Sequence, residues 1–155
     1  MTSRQTLKAL TPVTVIVKDR LYYALPVPSY HGYLATTTGE IISCVSHYNG
    51  RGARINKAEP HILKAQDSGT GYKKVTLTTR EGKPHQELVH RIVARTFLED
   101  GGCDRDGSKR LQVNHINAVT DDNRLCNLEY VTAKENAKWA ILLNAVKEEI
   151  KYADQ

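Results

Sequence analysis

The alternation of apolar and polar residues predicts short strands in the first half of the chain. Residues 13–17 are β-branched throughout, which is typical of a strand. Residues 33–44 predict a hairpin, because two apolar runs flank a turn at residues 38–40. Residues 72–79 alternate well enough to predict a further strand. The front of the chain is therefore expected to be mainly β.

Helical spacing appears at two places further along the chain. Apolar residues between 89 and 97 recur at i, i+3, i+4 and i+8, which predicts a helix over residues 88–98. Thr132, with Glu135 three residues later, forms a capping box and predicts the start of a long helix. The apolar stripe that this helix is expected to bury comprises Trp139, Ala140, Leu143, Val146 and Ile150.

The chain ends in a strand–loop–strand–helix unit, in which residues 111–116 and 128–132 predict the two strands. The predicted fold class is α+β, with N-terminal antiparallel strands and hairpins, a short helix, and this terminal unit with an extended final helix. We divide the chain into a basic, mainly β region at residues 1–87 and a second region at residues 88–155. The terminal unit spans residues 111–150 of that second region.

Composition and charge narrow the class of protein. The chain has 155 residues, 40% hydrophobic and 25% charged, which is typical of a globular domain and excludes a membrane bundle or a mainly disordered chain. Residues 1–98 hold 14 basic and 6 acidic side chains, a net charge of +8, whereas residues 99–155 have a net charge of −3. A basic front half suits phosphate, and a mildly acidic second half suits a divalent cation. Ordinary scatter of surface charge explains the split about as well.

The cysteines indicate a reducing compartment, and the amino terminus is consistent with an intracellular location. Cys44, Cys103 and Cys126 are odd in number and show no CxxC spacing, so neither a disulfide framework nor a structural zinc site is expected. The apolar run near the amino terminus is too short for a signal peptide or a membrane span. We expect an intracellular protein that is not secreted and does not bind membranes.

A group of polar residues lies where apolar ones are expected. Asn136 lies on the same side of the predicted long helix as the apolar stripe, and a buried amide is costly unless it is hydrogen-bonded. A helix packed across the preceding hairpin would bring Asn136 toward Asn114 and His115 at the end of the first strand. The sequence therefore predicts that these polar groups converge in a partly buried site.

The segment VNHINAVTDDNRLCNLEYVTAKENAKWA, residues 113–140, resembles the HNH endonuclease motif, a ββα-metal finger. Within the family it is most similar to the homing-type nucleases of phages and introns. The upstream VHRIVARTF resembles the helix that precedes the motif in those proteins. GYLATTTGEIIS and GYKKVTL resemble, more weakly, the strands that those enzymes use as a DNA-binding platform.

The resemblance implies a role for each matching residue. His115 matches the general base, and Asn127 matches the residue that orients this histidine through a backbone contact. Asn114 and Asn136 match the two metal ligands; many family members have Asp at the first of these positions and others have Asn. The implied cofactor is a divalent metal ion, Mg²⁺ with Mn²⁺ as the alternative. Two amide oxygens without a carboxylate would hold such an ion weakly, so its binding would depend on the DNA phosphate.

Seven basic residues are candidate contacts to DNA, through its phosphates or a groove. They are Arg51, Arg54, Lys57, Lys73, Lys74, Arg91 and Arg95. For Arg91 and Arg95 a solvated helix face, with Glu87 pairing to Arg91, is an equally good explanation, and each of the other five taken singly is explained as an ordinary surface residue. His90 is expected to have a structural role.

The hypothesis is a metal-dependent HNH endonuclease that nicks or cuts double-stranded DNA, of the homing type found in phages and mobile elements. Its partner would be double-stranded DNA, with no obligatory protein partner, and a phage-encoded enzyme would act in the host cytoplasm. Two alternatives stay open at this point. One is an HNH-fold DNA-binding protein that has lost catalysis, and the other, drawn from the basic front half alone, is a small RNA-binding protein.

Overall fold

The structure is a computed structural model that describes residues 7–45, 59–99, 101–102, 107 and 109–153, except the side chains of 147 and 149–153. The strands are β1 Val13–Val17, β2 Arg20–Pro26, β3 Tyr33–Thr36, β4 Ile41–Ser43, β5 His61–Ile62, β6 Gln66–Asp67, β7 Lys73–Thr78, β8 Pro84–Leu88, β9 Gln112–His115 and β10 Leu128–Val131. The helices are α1 Val89–Phe97 and α2 Ala133–Ala153. The predicted α+β class, with antiparallel strands first and two helices, is confirmed.

The strands form two antiparallel sheets and a separate hairpin. Strands β1 to β5 pair in chain order, β6 to β8 form a second sheet, and β9 pairs with β10. Strand β2 was not expected from the sequence. It follows β1 through a tight turn in which Lys18 and Asp19 both have positive φ, 48° and 62°. Two consecutive residues with positive φ match the twist of a two-residue hairpin, although Asn-Gly is the usual sequence for such a turn.

Helix α1 lies at the centre of the main apolar core. It begins directly after β8 without a side-chain cap, and most of its nine residues are buried. The core joins side chains from both sheets, from α1 and from the β9–β10 hairpin. Its members include Tyr33, Ile41, Leu77, Val89, Ile92, Val93, Phe97 and Leu128. One core thus connects residues on both sides of position 87, and the division into two regions stays a prediction.

Helix α2 begins at the predicted capping box but does not bury the predicted stripe. Trp139, Ala140 and Val146 are exposed and Leu143 is half-buried, so that expectation was wrong. Length explains the later part of the stripe, whereas Trp139 and Ala140 lie within about 11 Å of the start of the helix and their exposure has no such explanation. A four-residue strand spans about 13 Å, whereas a 21-residue helix spans about 31 Å. The helix therefore extends past the hairpin. In the part of the chain that the structure describes, no helix is long and apolar enough to cross a membrane.

The capping box at the start of α2 yields a prediction about stability. The backbone N–H of Glu135 donates to Thr132 Oγ1 at 3.2 Å, and the N–H of Thr132 donates to Glu135 Oε2 at 2.8 Å. We expect Thr132→Ala to lower the free energy of unfolding by about 1 kcal/mol, because it leaves a helix N–H without its acceptor. Urea denaturation measures this loss. Lys134→Ala, on the exposed side of the same turn, is the control, and equal midpoints for the two variants would contradict the prediction.

Candidate active site

The β9–β10 hairpin presents two faces with different neighbours. His115 pairs with Leu128, and Asn114 pairs with Glu129 in the adjacent register position. Because successive side chains in a strand point to opposite faces, His115 lies on one face and Asn114 on the other. The His115 face is turned toward the core through Leu128. The two residues are therefore adjacent in sequence and separated by the sheet.

His115 is enclosed by one amide and two aromatic rings. It is 6% exposed, and its Nε2 lies 3.3 Å from Asn123 Oδ1. Its ring centroid is 5.0 Å from that of His90 and 5.9 Å from that of Tyr72. The rings of Tyr72 and His90 are themselves 4.8 Å apart. The imidazole is thus fixed by packing on one side and by a hydrogen bond on the other.

Burial dominates the electrostatics of both histidines. It lowers the pKa of His115 below its usual 6.5, although the Asn123 hydrogen bond and the charges of Asp122 and Asp121 oppose the shift. Burial and the neighbouring His115 lower the pKa of His90 to about 4. The Nδ1 atom of His90 is buried and has no hydrogen-bond partner among the residues that the structure describes. Both rings are therefore neutral at pH 7.

Asn127 closes the loop between β9 and β10. Its side chain accepts from the backbone N–H of Asn117 at 2.9 Å and donates to the Asp122 carbonyl at 2.9 Å. Its own carbonyl accepts from the N–H of Ile116 at 2.9 Å. Asn127 thus approaches His115 through the backbone of the following residue, and its role in orienting the histidine stays a prediction. The amide that touches the imidazole belongs to Asn123.

Glu129 determines which way the side-chain amide of Asn114 is oriented. Asn114 Nδ2 donates to Glu129 Oε1 at 3.0 Å. A carboxylate accepts hydrogen bonds only, so the amide nitrogen must face it and Oδ1 must face away. The buried Glu129 therefore leaves the side-chain oxygen of Asn114 available to a cation. It also places a carboxylate beside the neutral amide of Asn114.

Asn136 lies in the first turn of α2 and is half-buried. Its Nδ2 donates to Gln112 Oε1 at 2.7 Å. Gln112 and Asn114 are two residues apart in β9 and share a face, which places them about 7 Å apart along the strand. The structure thus puts Asn114 and Asn136 on one side of the hairpin, each with its own partner, and His115 on the other side. Each of the three groups that the sequence predicted to converge has a different hydrogen-bond partner, and their action as one site stays a prediction.

The donor set suits a hard cation that needs few protein ligands. Amide and carboxylate oxygens from Asn114, Asn136 and Glu129 are the type that Mg²⁺ and Mn²⁺ bind. Among the described residues, no three His, Cys, Asp or Glu side chains cluster as ligands for a metal ion. An ion on this face would therefore take several of its ligands from water and phosphate.

The candidate DNA-binding residues have different surroundings. Lys73 pairs with Asp67 at 2.6 Å, and Lys74 donates to Gln86 at 3.2 Å. Arg51, Arg54 and Lys57 lie outside the residues that the structure describes.

The two arginines of α1 differ in how they are held. Arg95 pairs with Glu87 at 2.7 Å, so Glu87 takes this partner and not Arg91. Arg91 is exposed and, with Arg95, lines a cavity of about 250 Å³. Arg91 is thus the more accessible of the pair.

Sequence reasoning missed three groups around the hairpin. Asn123 and Glu129 touch His115 and Asn114 directly, and both are buried polar residues inside the recognised segment. The sequence signal that could have found them is general: a buried polar side chain needs a hydrogen-bond partner. The Tyr72 contact joins distant parts of the chain and has no local signal.

Comparison with known proteins supports the resemblance to the HNH endonuclease motif. Residues 87–138 match the family model of the HNH endonucleases. An uncharacterized HNH endonuclease of Acanthamoeba polyphaga mimivirus is 29% identical over 137 residues, 88% of this chain and 30% of the relative. A second uncharacterized HNH endonuclease of that virus is 30% identical over 112 residues, 72% of this chain and 28% of the relative. The chain thus spans less than a third of these relatives. No solved structure matches it significantly.

Proposed function

We propose that the chain, whose residues 87–138 match the HNH endonuclease family, is a metal-dependent endonuclease that hydrolyses phosphodiester bonds in double-stranded DNA. The observation that carries this proposal is the end of strand β9. There the buried imidazole of His115 comes directly after Asn114, which lies on the opposite face and turns its amide oxygen away from its partner Glu129. A phosphodiester bound at this strand end would be close to a proton acceptor and to oxygen ligands for a cation.

In this proposal His115 is the general base. Because burial lowers its pKa below the usual 6.5, the imidazole is neutral at pH 7 and able to accept a proton from the attacking water. The water oxygen forms the new bond to phosphorus, and the bond from phosphorus to the leaving oxygen breaks. Asn127 would be a positioning residue, since its carbonyl holds the N–H of Ile116 next to the imidazole.

Asn114 and Asn136 would hold the divalent cation, Mg²⁺ or Mn²⁺, through their side-chain oxygens. When bound, such an ion stabilises the negative charge that develops on the phosphate oxygens. Glu129 supports the site by turning Asn114 Oδ1 outward and by supplying negative charge. We expect affinity for the free ion to be low, because the two amides are neutral and phosphate must complete the coordination shell.

The basic residues would supply affinity for DNA and some sequence preference, through contacts to phosphates and to a groove. Arg91 is the strongest candidate, since it is exposed on α1 beside the core of the HNH domain. Arg95, Lys73 and Lys74 already have side-chain partners, so each would contact a phosphate in addition to its present partner. The same role is proposed for Arg51, Arg54 and Lys57. Each phosphate neutralised by one of these residues steepens the salt dependence of binding.

The biological setting proposed is that of a homing-type nuclease of a virus or mobile element, acting inside the host cell on DNA without an obligatory protein partner. Two viral relatives support the setting. The choice between nicking and double-strand cutting depends on whether the enzyme acts alone or in pairs.

A DNA-binding protein without catalysis is the second candidate function. The observation that favours it is Asn114, a neutral amide at a position where the family often has a carboxylate. On this reading the hairpin keeps its fold and the basic surface keeps its affinity, but the cation binds too weakly to support hydrolysis.

A supercoiled plasmid incubated with the full chain tests the proposal. We expect open-circular or linear DNA with Mg²⁺ or Mn²⁺, and no product when EDTA is in excess. A gel-shift assay on the same DNA separates the two candidates. Binding without cleavage under every divalent ion would favour the non-catalytic protein, and the absence of both binding and cleavage would contradict the two candidates together.

The pairing of Asn114 with Glu129 yields a prediction about the cation site. Asn114→Asp would place two carboxylates in directly opposite cross-strand positions, where the amide now donates at 3.0 Å. We expect this variant to lose roughly 1 kcal/mol of stability without metal, and to regain it when millimolar Mg²⁺ or Mn²⁺ is added. Chemical denaturation with and without the ion measures both effects.

The double variant Asn114→Asp/Glu129→Gln is the control for this prediction, because it keeps a single carboxylate. It should be close to the wild type in the absence of metal. If added cations leave the stability of Asn114→Asp unchanged, these side chains do not form a cation site.

A further inference from the structure

We infer that Asn123 is a positioning residue for His115, and that the turn between β3 and β4 holds Asn123 in place. The side-chain oxygen of Asn123 would keep the proton of the imidazole on Nε2, which leaves Nδ1 as the nitrogen that accepts a proton. The inference rests on the proposed function only in naming His115 as the base. It makes the β1–β5 sheet a structural part of the site as well as a candidate DNA-binding platform.

The hydrogen bonds around Asn123 determine which atom faces the imidazole. Asn123 Nδ2 donates to the backbone carbonyl of Asp121 at 3.2 Å. A carbonyl accepts only, so the amide nitrogen must lie on that side and Oδ1 on the other. Oδ1 is the atom that lies 3.3 Å from His115 Nε2. Because Oδ1 cannot donate, the hydrogen must be carried by Nε2.

The surroundings of Asn123 identify it as a support for the base and exclude direct action on DNA. The residue is only 7% exposed. Its backbone N–H is bonded to the Asp121 carbonyl at 3.1 Å, and Asn127 holds the carbonyl of Asp122 at 2.9 Å. A change at Asn123 would therefore reach the reaction through the orientation and tautomer of His115.

A glycine in the β3–β4 turn lets the β1–β5 sheet pack against the backbone of Asn123. Gly39 has φ of +94°, and a Cβ added there would lie 2.6 Å from the carbonyl carbon of Asn123 and 3.0 Å from the N of Arg124. One residue further on, the N–H of Leu125 donates to the carbonyl of Thr37 at 3.0 Å. The β3–β4 turn thus contacts the loop between β9 and β10 on both sides of Arg124. Any larger residue at position 39 must push the loop away.

The chain also contains a matched control for this contact. Gly82, in the turn between β7 and β8, has φ of +79°, but a Cβ there would meet nothing within 4 Å. Gly39→Ala and Gly82→Ala therefore carry similar backbone strain, and only Gly39→Ala disturbs Asn123. Comparison of the two separates the contact from the general cost of alanine at positive φ.

The test is an NMR measurement of the His115 ring in the full chain, without DNA or metal. Histidine ¹⁵N spectra report which ring nitrogen carries the proton, and a signal from a hydrogen-bonded Nε2–H shows that its exchange with water is slow. We expect the wild type to show this signal and a single Nε2–H tautomer. Asn123→Leu should lose the signal and admit the other tautomer. Asn123→Asp, which keeps an acceptor oxygen, should retain both features.

The glycine variants and the cleavage assay complete the test. Gly39→Ala should behave like Asn123→Leu, and Gly82→Ala like the wild type. If the chain cleaves DNA, Asn123→Leu should lower the cleavage rate roughly 10- to 100-fold with little change in KM, and Asn123→Asp should recover most of it. An unchanged His115 spectrum in Asn123→Leu would overturn the inference. If that variant does not fold, an unchanged spectrum in Gly39→Ala would do so. The spectra decide the positioning role even if no cleavage is found.

Discussion

Replacement of His115 with alanine is expected to lower the rate of metal-dependent DNA cleavage by about 10²- to 10⁴-fold, which is the usual contribution of a general base. In the proposed mechanism the proton acceptor is this buried imidazole at the end of β9, which is held by Asn123 and packed against His90 and Tyr72. Without it, water must lose its proton to solvent. The measurement is the single-turnover rate of plasmid nicking at saturating enzyme, so that weaker DNA binding does not enter.

His31→Ala is the control, because His31 is exposed. We expect it to cleave at the wild-type rate, and we expect His115→Ala to bind DNA with wild-type affinity. Equal cleavage rates for His115→Ala and the wild type would remove His115 from the mechanism. A variant that has lost both folding and cleavage is replaced by His115→Gln, whose amide keeps polar contacts without acting as a base.

Acid is expected to destabilise the protein through His90. Its pKa is lowered to about 4 in the folded chain, against about 6.5 in the unfolded chain. Between these values the unfolded state binds a proton that the folded state does not, so stability falls as pH falls from 6.5 to 4. Because His90 is only 3% exposed, little screening applies, and the loss is about 3 kcal/mol. Above pH 6.5 the residue contributes no pH dependence.

Urea denaturation of the wild type and of His90→Phe, from pH 7 to pH 4, measures this effect. The phenylalanine ring keeps the contacts with Tyr72 and His115 but has no proton to bind. We expect His90→Phe to lose about 3 kcal/mol less than the wild type over this range. The loss that remains includes His115, whose pKa burial also lowers. Parallel pH curves for the two proteins would show that the pKa of His90 is the same in the folded and unfolded chain.

The features that the sequence predicted correctly are those encoded by neighbouring residues. The spacing of apolar residues predicted α1 to within one residue at each end. The capping box of Thr132 and Glu135 predicted the start of α2, and the short apolar runs predicted β9 and β10. Each of these signals lies within one or two turns or one strand, so no knowledge of the fold was needed.

The features that were missed depend on distant contacts or unusual local geometry. Strand β2 follows a Lys-Asp turn with two positive φ values, which no turn-forming sequence announces. The exposure of the later part of the α2 stripe reflects the short hairpin on which the helix packs. The partners of His115 come from α1, from Tyr72 and from Asn123. The motif indicated which residues matter, whereas their partners required the fold.

The position of the cation tests the central claim most directly. Crystals of His115→Ala with uncleaved duplex DNA and Mn²⁺ would locate the ion by its anomalous scattering. The account predicts a peak within coordination distance of the side-chain oxygens of Asn114 and Asn136, on the α2 side of the β9–β10 hairpin. A complex with DNA bound and no ion on that side, or with the ion held by other side chains, would contradict it.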